Sequence, residues 1–213
     1  MKLFSKRTSS GLLAAAAAVV TTMALAAPAH AATTYTPDAG AGDKVNFVGS
    51  SVSFRAVQAN QTLTCSTFNL AGDVVSPSTS RAYGANGGTL GSLTSSGCTN
   101  PIAGNTTVTP TGVWGVTVTG DATGTTWPAK LTSVGATVSA AGCTFNVGGD
   151  LAGTFNTATQ LFTPGASTIK ITSTPSGFLC PILGVAAGQD ITVSGSWTNT
   201  PPAGSGPLTI TNP

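Results

Sequence analysis

Three blocks of this sequence occur twice, in the same order. The run from Lys44 to Ser53, KVNFVGSSVS, returns from Lys130 to Ser139 as KLTSVGATVS. Cys65 to Asp73, CSTFNLAGD, is answered one residue shorter by Cys143 to Asp150, CTFNVGGD. A third block starts at Thr89-Leu90 and at Thr168-Ile169, reaches Cys98 and Cys180, and ends at Trp114 and Trp197. Blocks that keep their order point to an internal duplication with a period of about 80 residues. The chain must therefore fold as two similar halves, residues 44–120 and 130–200, with a last strand expected at 207–211.

Within each half the pattern has a period of two. Val116 and Val118 alternate with Gly and Thr, Ile169 and Ile171 flank Lys170, and Ile191 and Val193 flank Thr192. Side chains on a strand point to opposite faces in turn, so this alternation predicts half-buried strands. Thr supplies 34 of the residues after position 31, and a side chain stiff at χ1 suits a pleated surface. Asn86-Gly87-Gly88, Pro110-Thr111-Gly112, Gly120-Asp121, Thr163-Pro164-Gly165 and Pro175-Ser176-Gly177 punctuate the runs as turns. No helical window is expected beyond residue 31. The predicted fold is all-β, an antiparallel sandwich or barrel with a pseudo-twofold arrangement. Trp127-Pro128 stands where a linker would lie, so one compact unit is expected rather than two beads. Residues 32–43 read as a loose leader.

The first 31 residues read as an export signal. Lys2, Lys6 and Arg7 make a basic start, Leu12 to Leu25 is uncharged and Ala-rich, and Ala29-His30-Ala31 offers small residues for cleavage. Gly11, Thr21, Thr22 and Pro28 make it a poor membrane span. Removal of that segment changes the electrostatics. The whole chain carries +2, but five basic residues and six aspartates remain beyond it, a net charge of about −1. That balance supports neither a nucleic-acid patch nor attraction to an anionic membrane. The expected place is extracellular, secreted or held at the cell envelope.

Composition also closes off chemistry. Charged residues make up 7% of the chain, Glu is absent, and the single histidine, His30, lies at the expected cleavage site. Ser-His-Asp and Cys-His catalysis, His-containing zinc sites and multi-imidazole copper sites all lack their ligands. No cofactor is expected. Four cysteines in an exported chain predict two disulfides. Three connectivities are open, and the repeat favours Cys65 with Cys98 and Cys143 with Cys180.

Ser96-Gly97-Cys98, the run VTPTGVW from Val108 to Trp114, the run GQDITVSGSW from Gly188 to Trp197, and Leu208 to Thr211 together carry a likeness. On these residues the chain resembles an uncharacterised family of secreted, Thr/Gly-rich, four-cysteine β-proteins of high-GC Gram-positive, actinobacterial organisms. The resemblance implies export and β-structure, and no catalytic residue. A looser resemblance is to enediyne-carrier apoproteins, whose cysteine spacing this chain does not reproduce.

Few residues remain to carry function. Asp73 and Asp150 hold matching positions and form a candidate glycosidase pair; the competing reading is turn chemistry shared by both halves. Trp114 and Trp197 are expected in the core beside the disulfides. Trp127, Tyr83 and Phe178 are the candidate ligand-facing aromatics. Arg55 and Gln58 join them because the extension between Phe54 and Cys65 breaks the repeat, and such departures can add function without disturbing a fold. The leading expectation is a non-catalytic extracellular binding or structural protein, with cell-wall or extracellular polysaccharide or self-association as partner. An aspartate-dependent glycan hydrolase and a small-molecule carrier are the alternatives.

Overall fold

A computed structural model describes residues 32–212; the expected export signal lies outside the described residues. In chain order the strands are β1 (Thr34–Asp38), β2 (Lys44–Ala56), β3 (Gln61–Val74), β4 (Arg81–Ala82), β5 (Asn86–Asn100), β6 (Gly104–Pro110) and β7 (Trp114–Val118). They continue as β8 (Thr126–Ala140), β9 (Cys143–Asn156), β10 (Leu161–Ser167), β11 (Lys170–Ile171), β12 (Ile191–Ser194), β13 (Trp197–Asn199) and β14 (Thr209–Thr211). A single helical turn, α1 (Cys180–Leu183), interrupts the last part. The all-β, antiparallel class read from the sequence is the class observed.

The large sheet curls and partly closes into a ring. Long strands β2, β3 and β5 pair in succession, as do β8 and β9. Short strands close the two seams: β6 and β7 bridge β5 to β8 at its two ends, while β13 bridges β10 to β2 and β12 adds to β2. At one level the ring is β2, β3, β5, β7, β8, β9, β10 and β13. Barrels of about eight strands leave an interior that side chains just fill or that holds one small ligand.

Interruptions in the alternation are what keep the apolar face inward. On β8, Trp127, Ala129 and Leu131 are buried, and strict alternation would next bury residue 133. A bulge at Ser133, with φ +56°, shifts the register between Leu131 and Val134, so Val134, Ala136, Val138 and Ala140 face in instead. Glycine makes room where large rings enter. A Cβ on Gly49 would lie 2.5 Å from the Trp197 indole, which pairs directly opposite. Phe68 sits at the centre of the aromatic core, with Phe54, Trp114 and Trp197 at 5.2, 6.1 and 6.4 Å between ring centroids. Trp114 and Trp197 are both buried, as expected. Cys65 bonds Cys98 across β3 and β5, and Cys143 bonds Cys180, joining β9 to α1.

Three expectations are corrected. Residues 34–38 are not a loose leader: they form β1, between β14 and β4 in a separate three-stranded sheet. Tyr35 is 1% exposed there and donates its hydroxyl to the Ala85 carbonyl. Helix is present as one turn that starts at Cys180, with Pro181 in the first turn, where a missing N–H costs nothing, and Gly184 at φ +65° ending it. Trp127 is not ligand-facing: it lies in the core at 5% exposure, opposite Phe155.

Candidate functional site

The two ends of the barrel are closed by different devices. The end where β2 starts and β3 stops is stoppered by the three-stranded sheet, which brings Ile210 and Leu208 beside Phe47, Phe155 and Trp197 and leaves two small gaps of about 30 Å³ each. The end where β2 stops and β3 starts is roofed by residues 177–188, which include α1. Strand register brings four connections to this roofed end. Residues 57–60 join β2 to β3, 101–103 join β5 to β6, 141–142 join β8 to β9, and the Cys143–Cys180 bond ties the roof segment beside them. An added Cβ on Gly184 would touch Ala59, and one on Gly142 would meet the Phe178 ring at 3.0 Å, so the roof spans from one hairpin to another.

None of these four connections contains a charged residue. Six large apolar side chains are exposed among the described residues, and four belong here: Val57 at 39%, Ile102 at 60%, Ile182 at 66% and Phe178 at 79%. Clustered exposed apolar groups on a monomeric surface mark contact sites, whereas scattered ones need no explanation. Asn100 positions Ile102. Its Oδ1 accepts the Ile102 and Ala103 N–H groups at 2.9 and 2.8 Å, while its Nδ2 donates to the Thr62 carbonyl and to Gln61 Oε1. This Asx turn holds a tight apolar loop with its backbone donors satisfied.

Beneath the roof lies a chamber of about 80 Å³. Phe54, Leu63, Val138 and Phe145 form part of its wall, and Leu183 and Val185 cover it from the roof segment. Its polar members are engaged with one another or with backbone: Gln61 with Asn100, Asn100 also with Thr62, and Thr106 Oγ1 with the Gly104 carbonyl.

The sequence-derived candidates divide between these places. Phe178 is exposed on the roof. Arg55, on β2, and Gln58, in the β2–β3 hairpin, lie at the same end and make local bonds. Arg55 donates to Asn60 Oδ1 at 2.9 Å. Gln58 donates to Asp190 Oδ2 at 2.7 Å and accepts the Asp190 N–H at 2.9 Å, pinning the hairpin to the segment that enters β12. Lys170 and Gln58 together hold the Asp190 carboxyl below the usual carboxylate range. Tyr83 lies at the stoppered end, stacked on Tyr35 at 6.1 Å, with its hydroxyl bonded to Asp121 and Asn212. Burial and donation to Asp121 push that phenol up to about 12. Asp73 and Asp150 each face a lysine from the partner strand of their own hairpin: Asp73 pairs with Lys44, and Asp150 with Lys130 at 3.0 Å.

Sequence reasoning did not single out Val57, Ile102 or Ile182. The available signal was the charge-free composition of their loops, VQAN, PIA and the segment GFLCPILGVAAG. No protein family matches the chain, and neither a curated protein nor a solved structure is significantly similar to it.

Proposed function

We propose that this chain is an exported, non-catalytic binding protein that works through the roofed end of its barrel. The observation that carries the reading is the gathering of Val57, Ile102, Phe178 and Ile182 on uncharged loops above an apolar chamber. Such a surface gains free energy by leaving water and offers no charge whose desolvation would oppose contact. Two disulfides suit an oxidising compartment, which supports export. The recurring sequence blocks support descent from a duplicated half, and the ion pairs Lys44–Asp73 and Lys130–Asp150 at matching positions support a structural role for the two aspartates over a hydrolytic one.

The test is retention of the processed protein on a phenyl matrix at low salt. Wild type is expected to bind, and the combined Ile102→Ser, Phe178→Ser, Ile182→Ser variant to elute in the void with its fold intact. Equal retention of both proteins would refute the reading. A second reading, polysaccharide binding, is favoured by the exposed hydroxyls of Thr107, Thr109, Ser139 and Thr144 on adjoining strands β6, β8 and β9. Co-sedimentation with insoluble cell-wall glycan that survives the triple substitution would support it.

A further inference from the structure

The chamber under α1 is specific enough to name a ligand class, an inference that rests on the roofed end being the binding end. Its volume is about 80 Å³, roughly half that of an engineered apolar cavity that takes up benzene, and far below the several hundred Å³ of pockets that enclose a drug-sized ligand. It can hold one end of a chain, not a whole large molecule. A buried water needs two to four polar partners. Here Gln61, Asn100 and Thr106 are already engaged, and the rest of the wall is apolar, so water gains little by entering.

The Cys143–Cys180 bond holds the start of α1, and the Gly188 N–H to Ile171 carbonyl bond holds the far side of the roof segment. Between them the segment is held by its own turn bonds, Leu183 N–H to the Leu179 carbonyl and Gly184 N–H to the Pro181 carbonyl, and by Gln189 Nε2 donating to the Gly184 carbonyl at 2.9 Å. A segment fastened at its two sides can lift in the middle without breaking the barrel's strand ladders.

Charge then selects the head of the ligand. Of the charged groups at this end, Asp190 is paired with Lys170 and Gln58, whereas Arg55 bonds only the neutral Asn60 amide and keeps its positive charge. A cationic head at the rim would find no free carboxylate and a like charge in Arg55, while an alcohol or ester loses little. We propose that the chamber is a binding site for the terminal alkyl segment of an amphiphile without a cationic head, with Leu183 and Val185 closing over the chain and the head left at the rim.

Methyl-labelled processed protein, titrated with 1-octanol and separately with octylammonium chloride, tests this. Octanol is expected to shift the methyl signals of Val138, Leu183 and Ile191 saturably, with octylammonium weaker by at least about tenfold. Ala136→Leu, which fills the chamber from β8, is expected to abolish those shifts while keeping phenyl-matrix retention. Ala140→Val fills it from the strand end and serves if the larger substitution does not fold. Absence of saturable shifts in the chamber methyls of wild type would overturn the proposal. Shifts confined to Ile102 and Ile182 would overturn it too, while leaving the broader reading standing. Octylammonium binding as tightly as octanol would overturn the exclusion of a cationic head. Failure of the broader reading shows separately, as unchanged matrix retention in the triple rim variant.

Discussion

The stoppered and roofed ends of the barrel solve one problem with unequal investment. At the stoppered end a three-stranded sheet supplies Tyr35, Leu208 and Ile210 from residues far apart in the chain, all nearly buried. Polar side chains brace it. Arg81 donates to the carbonyls of Asn86 and Ser76, Ser78 donates to Asp38, and Tyr83 joins Asp121 to Asn212. At the roofed end, one disulfide and one helical turn cover a larger space, and the outward side chains are apolar. The first end is built to stay shut. The second is held by that disulfide, by turn bonds and by side-chain bonds such as Gln58–Asp190 and Gln189–Gly184, and it exposes apolar area that water does not favour, which is the attribute of a contact site.

If that contrast is right, substitutions at the two ends should differ sharply. Tyr35→Ala empties the stopper and is expected to cost about 3–5 kcal/mol in chemical denaturation, the range for removing a buried aromatic ring. Phe178→Ala, at the other end, should fall within about 0.5 kcal/mol of wild type. Comparable losses at both would erase the distinction. Replacing Cys143 and Cys180 together by Ala opens a loop set by a sequence separation of 37 and is expected to cost about 4 kcal/mol. Amide exchange should rise across 177–188 in that variant and stay unchanged at Tyr35; a rise at both ends would mean that the roof is not a separate unit.

Alkaline titration addresses the bracing by Tyr83. The folded state holds the Tyr83 phenol neutral up to about 12, against an ordinary value near 10, so its contribution is complete below pH 10 and is lost as pH rises toward 12. Melting temperature should fall across that window in wild type and fall less in Tyr83→Phe. Identical profiles would remove Tyr83 from the bracing. Asp73→Asn breaks an exposed pair with Lys44 and is expected to cost under about 1 kcal/mol by denaturant melt. A loss several times larger would give that aspartate a role beyond the pair.

How much of this could be read from the sequence depended on whether the signal was local. Period-two alternation of Val, Ile and Thr declared the strands, because the pleat imposes that spacing on every half-buried strand. The recurrence of cysteine and tryptophan in two matched blocks led to the two pairings and to burial of Trp114 and Trp197. Residues 34–38 were opaque because their partners, Thr209 to Thr211, stand at the opposite end of the chain, and five residues beside a Gly-Asp run give little periodicity. Trp127 misled because asymmetry in the repeat and an adjacent proline suggested exposure, whereas its strand position opposite Phe155 turns it inward. The chamber was invisible because it arises where small residues of strands distant in sequence, Ala56 on β2 and Ala136 and Ala140 on β8, come to line one space, a coincidence that only the curled sheet creates. Ile102, one apolar residue in a short loop, and Ile182, one of several in the 177–188 segment, carried no periodicity that distinguishes a contact from a chance exposure.

The most direct test of the asymmetry is hydrogen exchange by mass spectrometry on the processed protein, with and without saturating 1-octanol. Slower exchange confined to residues 57–60, 101–103 and 177–188 is the predicted result. Protection centred on residues 34–44 and 205–211, or spread over the outer faces of the strands, would contradict the assignment of binding to the roofed end.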